Sequence, residues 1–165
     1  MTLATHTVIG VALTSLIPTH PYVGFYVAFT SHFLLDAIPH WDYHLLSRSI
    51  HPNHGDAIVF DRPFFLDMLR IGSDILFGLL ISYLFFYQTA FTFAFGAGVV
   101  GALIPDFLQF VYGKFRHEPL ISLQKFHIWI HSKIRLKDRP VIGVLSQIVF
   151  VGLFVFFLKK GVAGL

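Results

Sequence analysis

The sequence has no cysteine, which excludes disulfides, thiolate-metal sites and cysteine nucleophiles. It is also poor in charge: 13% of its 165 residues are Asp, Glu, Lys or Arg, against about a quarter in an ordinary soluble domain. Hydrophobic residues make up 55% and aromatics 17%, and the mean hydropathy is +0.70, a composition suited to a bilayer as solvent. No Lys or Arg precedes the first apolar run and no small-x-small pattern follows it, which argues against a cleaved signal peptide. The net charge of +3 does not indicate nucleic acid, because the basic residues fall in the connections between apolar runs. The length admits one domain, so residues 1–165 read as a single membrane-embedded helical unit.

Apolar runs predict helices at 3–17, 22–39, 64–88, 91–112 and 140–158, about five transmembrane segments of an all-α integral membrane protein. The first two are short against the roughly 20 residues of a full span. Pro18 and Pro21 make the outer turn between them, and Gln88 and Thr89 mark the next one. From Ile75 to Pro105 there are 31 residues without a charge or a histidine. As one helix they would reach about 46 Å, so they must fold back as a hairpin. A further helix at 120–134 has Phe126, Trp129 and Ile130 for an interfacial face, with Lys133, Arg135, Lys137 and Arg139 to attract anionic head groups.

Orientation follows from the basic residues. Arg48, Arg62 and Arg70 lie in or just after one connection, and Lys114, Arg116, Lys125, Lys133, Arg135, Lys137 and Arg139 lie in another. These ten of the twelve fall on one side, which makes that side and the N-terminus cytoplasmic, read here as the inner face of a prokaryotic cytoplasmic membrane. Lys159 and Lys160 are the exception.

The chain also resembles itself. THTVIGVAL at 5–13 aligns with SDILFGLL at 73–80, and AIPHW at 37–41 with LIPDF at 103–107, matching His6 to Asp74, Gly10 to Gly78 and His40 to Asp106. Residues 1–44 and 64–112 are therefore read as two tandem helical hairpins about a pseudo-twofold axis. Counting from the outer turns at about 1.5 Å per residue places His6, Asp36, Asp74 and Asp106 about 21–24 Å from the outer face, in one layer. His32 shares the face of Asp36, and His40 follows it by one turn. Ionisable groups within a bilayer persist where they pair, line a wet cavity or bind an ion. Arg70, one turn before Asp74, can neutralise one carboxylate only, so a cation is the better partner. Imidazole with carboxylate suits zinc, manganese or iron, one ion or two. His6, His32, Asp36, His40, Asp74 and Asp106 are thus the candidate metal ligands.

Other polar residues have plainer readings. Asp61 and Asp67 fit a helix cap or a group reaching for water, and His20 fits a structural role at the outer turn. His51, His54 and Asp56 have ligand-like spacing on a polar loop, where solvation is the simpler account and a lid the sharper one. His127 and His131 are four apart and share one helical face, able to approach one metal or one anion. There is no HExxH zinc-peptidase pattern.

His6 before an apolar helix, IPHWDYH at 38–44 and HIWIHS at 127–132 together resemble the YdjM-like family of predicted membrane-bound, metal-dependent hydrolases. The resemblance implies His6, Asp42, His127 and His131 as site residues, with His40 where the family usually has aspartate. HFLLDAIPH also resembles the HxxxD segment of the helical zinc-dependent phospholipases C, which implies His32 and Asp36 as ligands. The expected function is a metal-dependent hydrolase acting on a lipid or lipid-linked phosphoester. Asp42 or an unligated carboxylate is its general base, and His127 and His131 bind phosphate or protonate the leaving group. Two alternatives stand beside it: a proton or metal-ion transport module, and a structural partner whose Gly96, Gly98 and Gly101 form a contact surface. Homo-oligomerisation is left open.

Overall fold

The computed structural model describes residues 1–47, 60–87, 92–134, 136 and 138–163. Gln88, Thr89, Arg48, His51, His54, Asp56, Arg135 and Lys137 lie outside the described residues. Among those described the chain forms six helices and no strand: α1 (Leu3–Thr14), α2 (Pro21–Asp36), α3 (Arg62–Phe86), α4 (Phe93–Lys114), α5 (Leu120–Ile130) and α6 (Pro140–Ala163). Two of them, α4 and α6, are long and apolar enough to cross a membrane, fewer than the five expected. The shortfall has physical causes: α1 has 12 residues and α2 has 16, while α3 carries Arg62, Asp67, Arg70 and Asp74 in its first half.

Local chemistry sets the ends. Thr2 caps α1 by accepting from the Thr5 amide at 3.3 Å, and Asp61 caps α3 by accepting from Phe64 at 3.0 Å. α1 stops short of residue 17 because the Leu16 and Ile17 amides bond back only three residues, at 3.2 and 3.1 Å, ahead of Pro18. α2 ends at Asp36 rather than 39: Ile38 also bonds back three residues, and Pro39 has no amide to continue.

α1 is the centre of the bundle. It packs against α2, α3, α4 and α6, and eleven of its twelve residues are buried. Such enclosure requires small residues at the crossings. A Cβ on Gly10 would lie 2.7 Å from the Ala102 Cβ and 2.8 Å from the Gly98 carbonyl oxygen, and one on Gly78 would lie 2.7 Å from the Ala4 Cα. Gly98 and Gly101 therefore serve packing within the bundle, against α1 and α2, whereas Gly96 has no such neighbour. The expected second hairpin is not a packed pair: α3 and α4 each pack on α1 and make little contact with one another.

Burial runs opposite to that of a water-soluble fold. The most enclosed side chains include His6, His32, His40, Asp36, Asp67, Thr7, Thr14 and Ser82. Leu76, Phe77, Leu80 and Leu84 of α3, and Val141, Leu145, Ile148, Leu153 and Phe157 of α6, are exposed. The buried hydroxyls turn back on their own helices, Thr7 to the Leu3 carbonyl at 2.7 Å and Ser82 to that of Gly78 at 2.7 Å.

Gly10→Val forces side-chain volume into this crossing and should cost about 1–3 kcal/mol by overpacking. A lowered thermal midpoint of the detergent-solubilised protein is the expected readout; an unchanged midpoint would show that α1 does not cross α4 closely at Gly10 as described.

Candidate metal centre

Asp36, at the last turn of α2, is 2% exposed and is the point on which the buried polar groups converge. Its Oδ1 lies 3.2 Å from His6 Nε2 of α1 and 3.7 Å from His40 Nε2, and 2.6 Å from the Met1 ammonium. Its Oδ2 lies 2.9 Å from His127 Nε2 of α5, 3.3 Å from His32 Nε2 and 3.9 Å from His131 Nε2. Two clusters result. His32, Asp36, Asp106 and His127 bring four ligand atoms within 4.8 Å of one another, and Asp36, His40 and His131 do the same with three.

The ring orientations are informative. His32 Nδ1 is 2.8 Å from the Ala102 carbonyl and His40 Nδ1 is 2.6 Å from the Ile38 carbonyl. A carbonyl only accepts, so both Nδ1 atoms carry hydrogen, and in the neutral ring each Nε2 presents its lone pair toward carboxylate oxygen. His6 Nδ1 and Nε2, His32 Nε2 and His40 Nε2 are all buried without a hydrogen-bond partner. His6 stacks on His32 with ring centroids 3.9 Å apart, a contact that two imidazolium ions would resist. Nδ1 held by a backbone carbonyl with Nε2 aimed inward is the usual posture of a metal-ligating histidine.

His6, His32, Asp36, His40, Asp106, His127, His131 and Asp42 all come together here. Asp106 Oδ1 is 3.6 Å from His32 Nε2. Asp42 Oδ1 is 3.2 Å from His40 Nε2, and its Oδ2 is 3.8 Å from His131 Nε2. His127 is buried against Asp36, within the ligand cluster rather than at an open phosphate position. Burial would raise the Asp42 carboxyl, but the adjacent His40 side chain and the nearby ammonium outweigh it and hold it at about 2. Burial lowers His131, which favours the neutral imidazole that ligates metal.

Asp74 departs from the expected layer. Its Oδ2 accepts from the Leu3 amide at 2.6 Å, so it serves the N-terminus of α1 and belongs to neither cluster. A depth count along the helix carries no rotation about its axis, and Asp74 turns to the α1 terminus instead. Arg70 does not pair with it; the guanidinium lies 3.7 Å from Asp67 and 3.4 Å from the His44 carbonyl oxygen. Asp67 is not reaching for water either. It is 1% exposed and accepts from the Leu46 amide at 2.9 Å and from the Ser47 amide and hydroxyl at 2.8 and 2.7 Å, clamping the loop after α2 onto α3. His20 stands exposed ahead of α2 and makes no side-chain cap.

Two glutamines were not anticipated. Gln109 Nε2 donates to Asp106 Oδ1 at 3.0 Å and lies 3.0 Å from His127 Nδ1, tying two ligands of one cluster together. Gln147 of α6 accepts from the Thr2 amide and the Thr5 hydroxyl, each at 3.1 Å, and donates to the Trp41 carbonyl at 2.9 Å, joining α6 to α1 and to the loop carrying Asp42. Both lie in apolar helices; a lone amide there, like a lone carboxylate, marks a position that needs partners. Neither a family model, nor a curated protein, nor a solved structure matches the chain significantly.

Asp67→Ala leaves the Leu46 and Ser47 amides without their acceptor, a loss of about 1–3 kcal/mol. Amide exchange at these two positions should speed up by roughly tenfold or more, while exchange in α4 stays unchanged; unaltered loop exchange would show that Asp67 does not hold it.

Proposed function

We propose that this protein is an integral membrane hydrolase of the prokaryotic cytoplasmic membrane. It holds one or two divalent cations around Asp36 and cleaves a lipid or lipid-linked phosphoester on the cytoplasmic side. The observation that carries the reading is the set of buried Nε2 atoms on His6, His32 and His40, all turned toward one carboxylate and none hydrogen-bonded to it; in the neutral His32 and His40 rings the hydrogen is committed to Nδ1. Acceptors facing acceptors in a dry interior repel, and a cation between them removes the conflict.

Spacing supports the same reading. Ligand arms of about 2.0–2.1 Å in a tetrahedral site give ligand–ligand edges of about 3.3 Å. The separations of 3.3 Å from His32 to Asp36 and 3.6 Å from His32 to Asp106 are close to that edge. Because the two clusters share Asp36, its two oxygens suit the bridge of a two-ion centre, with Asp42 and His6 beside the second position. Nitrogen and oxygen donors without thiolate accord with zinc, manganese or iron. A divalent cation in such a site supplies Lewis-acid activation of water and of a phosphoryl oxygen. His127 completes the ligand set, while Asp42 and His131, 26% and 14% exposed, are suited to move protons during attack and departure. The resemblance to the YdjM-like hydrolases and to zinc-dependent phospholipases C favours phosphoester hydrolysis over other uses of the same donors.

The membrane placement rests on the apolar exteriors of α3 and α6 and on the positive-inside count, with α1, α2 and α3 completing the spans beside α4 and α6. Transport is less well supported. Beyond His6, Val8, Val11, Ala12, Phe86 and Val155 pack together, and the buried hydroxyls of Thr7, Thr14 and Ser82 bond back to their own helices, so the described residues form no continuous polar path to the far face.

Elemental analysis of the purified protein tests the centre. One or two equivalents of zinc, manganese or iron should co-purify, fall to none in Asp36→Ala, and fall by one equivalent in Asp106→Ala if two ions are held. Metal-dependent release of product from at least one lipid phosphoester should vanish with Asp36→Ala. Absence of metal after reconstitution, or hydrolysis indifferent to chelation, would overturn the reading.

A further inference from the structure

Helices α3 and α6 both pack on α1, yet they leave a seam between them on the outer surface of the bundle. A cleft of about 760 Å³ opens at its inner end, with Tyr43, His44 and Arg70 on its polar side and Trp41, Phe77 and Val144 on its apolar side. A second cleft, of about 420 Å³, lies further along the same two helices between Ile81 and Phe85 of α3 and Val151 and Val155 of α6. Phe77, Ile81 and Phe85 are one helical turn apart and share a face, so the two clefts follow one line. From Arg70 to Phe85 that line is about 22 Å long.

Its two ends differ. At the inner end the Arg70 guanidinium is 49% exposed and, among the described residues, directs only Nη1 toward acceptors, at 3.4 and 3.7 Å, of the five N–H donors that such a group offers. Asp74, the carboxylate in this cleft, is committed to the Leu3 amide. Trp41 and Tyr43 flank Asp42, so the polar end adjoins the metal centre. At the far end Lys159 Nζ sits 5.5 Å from the ring centroids of both Phe85 and Phe86 and closes the line with charge. Between the ends the walls are apolar, with Phe77 and Val144 in one cleft and Ile81, Phe85, Val151 and Val155 in the other.

We infer that this seam is the binding slot for a membrane lipid bearing a single phosphate ester, with its phosphate at Arg70 beside Asp42 and one acyl chain along Phe77, Ile81 and Phe85. A planar guanidinium at the head of an apolar trough matches a phosphate followed by a hydrocarbon chain, and neither a free anion nor a neutral diglyceride satisfies both halves. The identification of this lipid as substrate rests on the hydrolase reading; the slot itself does not.

Native mass spectrometry of the detergent-solubilised full chain, titrated with phosphatidic acid, diacylglycerol or inorganic phosphate, tests the slot. One phosphatidic acid per chain should be retained, at least tenfold more tightly than either of the other two. Arg70→Gln and Phe77→Trp should each weaken it about tenfold or more, while Lys114→Gln, at the end of α4, should leave it within twofold. Equal retention of diglyceride and phosphatidic acid, or indifference to both Arg70→Gln and Phe77→Trp, overturns the slot. The two readings separate in the Asp36→Ala protein. Phosphatidic acid retained there, with no lipid hydrolysis by the metal-loaded wild type, leaves the slot standing and removes the hydrolase. Hydrolysis with unchanged KM in both slot variants does the reverse.

Discussion

One buried carboxylate organises this molecule. Asp36 ends α2 inside the bundle, and His6, His32, His40, His127 and His131 reach it from α1, α2, the loop after α2, and the α5 segment. A carboxylate removed from water to this degree is tolerated only with matched partners, so each of these elements must arrive within a few tenths of an ångström of its place. The supporting bonds follow from that demand. The Ala102 and Ile38 carbonyls fix two rings, Gln109 ties Asp106 to His127, and the Asp36 carbonyl itself accepts from the Ser132 amide at 2.8 Å, fastening the end of α5 to the end of α2. The centre is therefore also a lock between α2, α4 and the short α5.

Much of the centre was legible in the sequence because ionisable residues are rare in apolar helices and each one stands out. His32 and Asp36 at helical spacing, Asp106 in the matching segment, and the HxxxH of His127 and His131 converge as their spacing predicts. Depth along a helix can be counted from a turn, which is why His6 and Asp36 meet. Rotation about the axis cannot be counted where nearly every face is apolar, which is why Asp74 was grouped with the ligands and instead holds the N-terminus of α1. Gln109 and Gln147 were passed over because uncharged amides do not interrupt a hydropathy profile, though each makes bonds that position the site.

The architecture was less legible than the chemistry. Apolar runs report what a segment avoids, not which neighbour it chooses, and the matching of Gly10 to Gly78 suggested two equivalent hairpins. Both glycines do mark close crossings, but of different kinds: Gly10 admits α4, and Gly78 admits α1. α1 therefore occupies a position that no counterpart in the second half shares, inserted where α3 and α4 would otherwise meet.

That position has a consequence for how the protein is made. A helix of 12 residues with eleven of them buried has almost no surface of its own to offer a bilayer, and it is too short to be held there by length. Its environment is supplied by α2, α3, α4 and α6 packed around it. His6 is carried on this enclosed element, so the centre is complete only with α1 in its place. In the proposed metal-bound protein, cation retention therefore reports that the bundle has closed around α1.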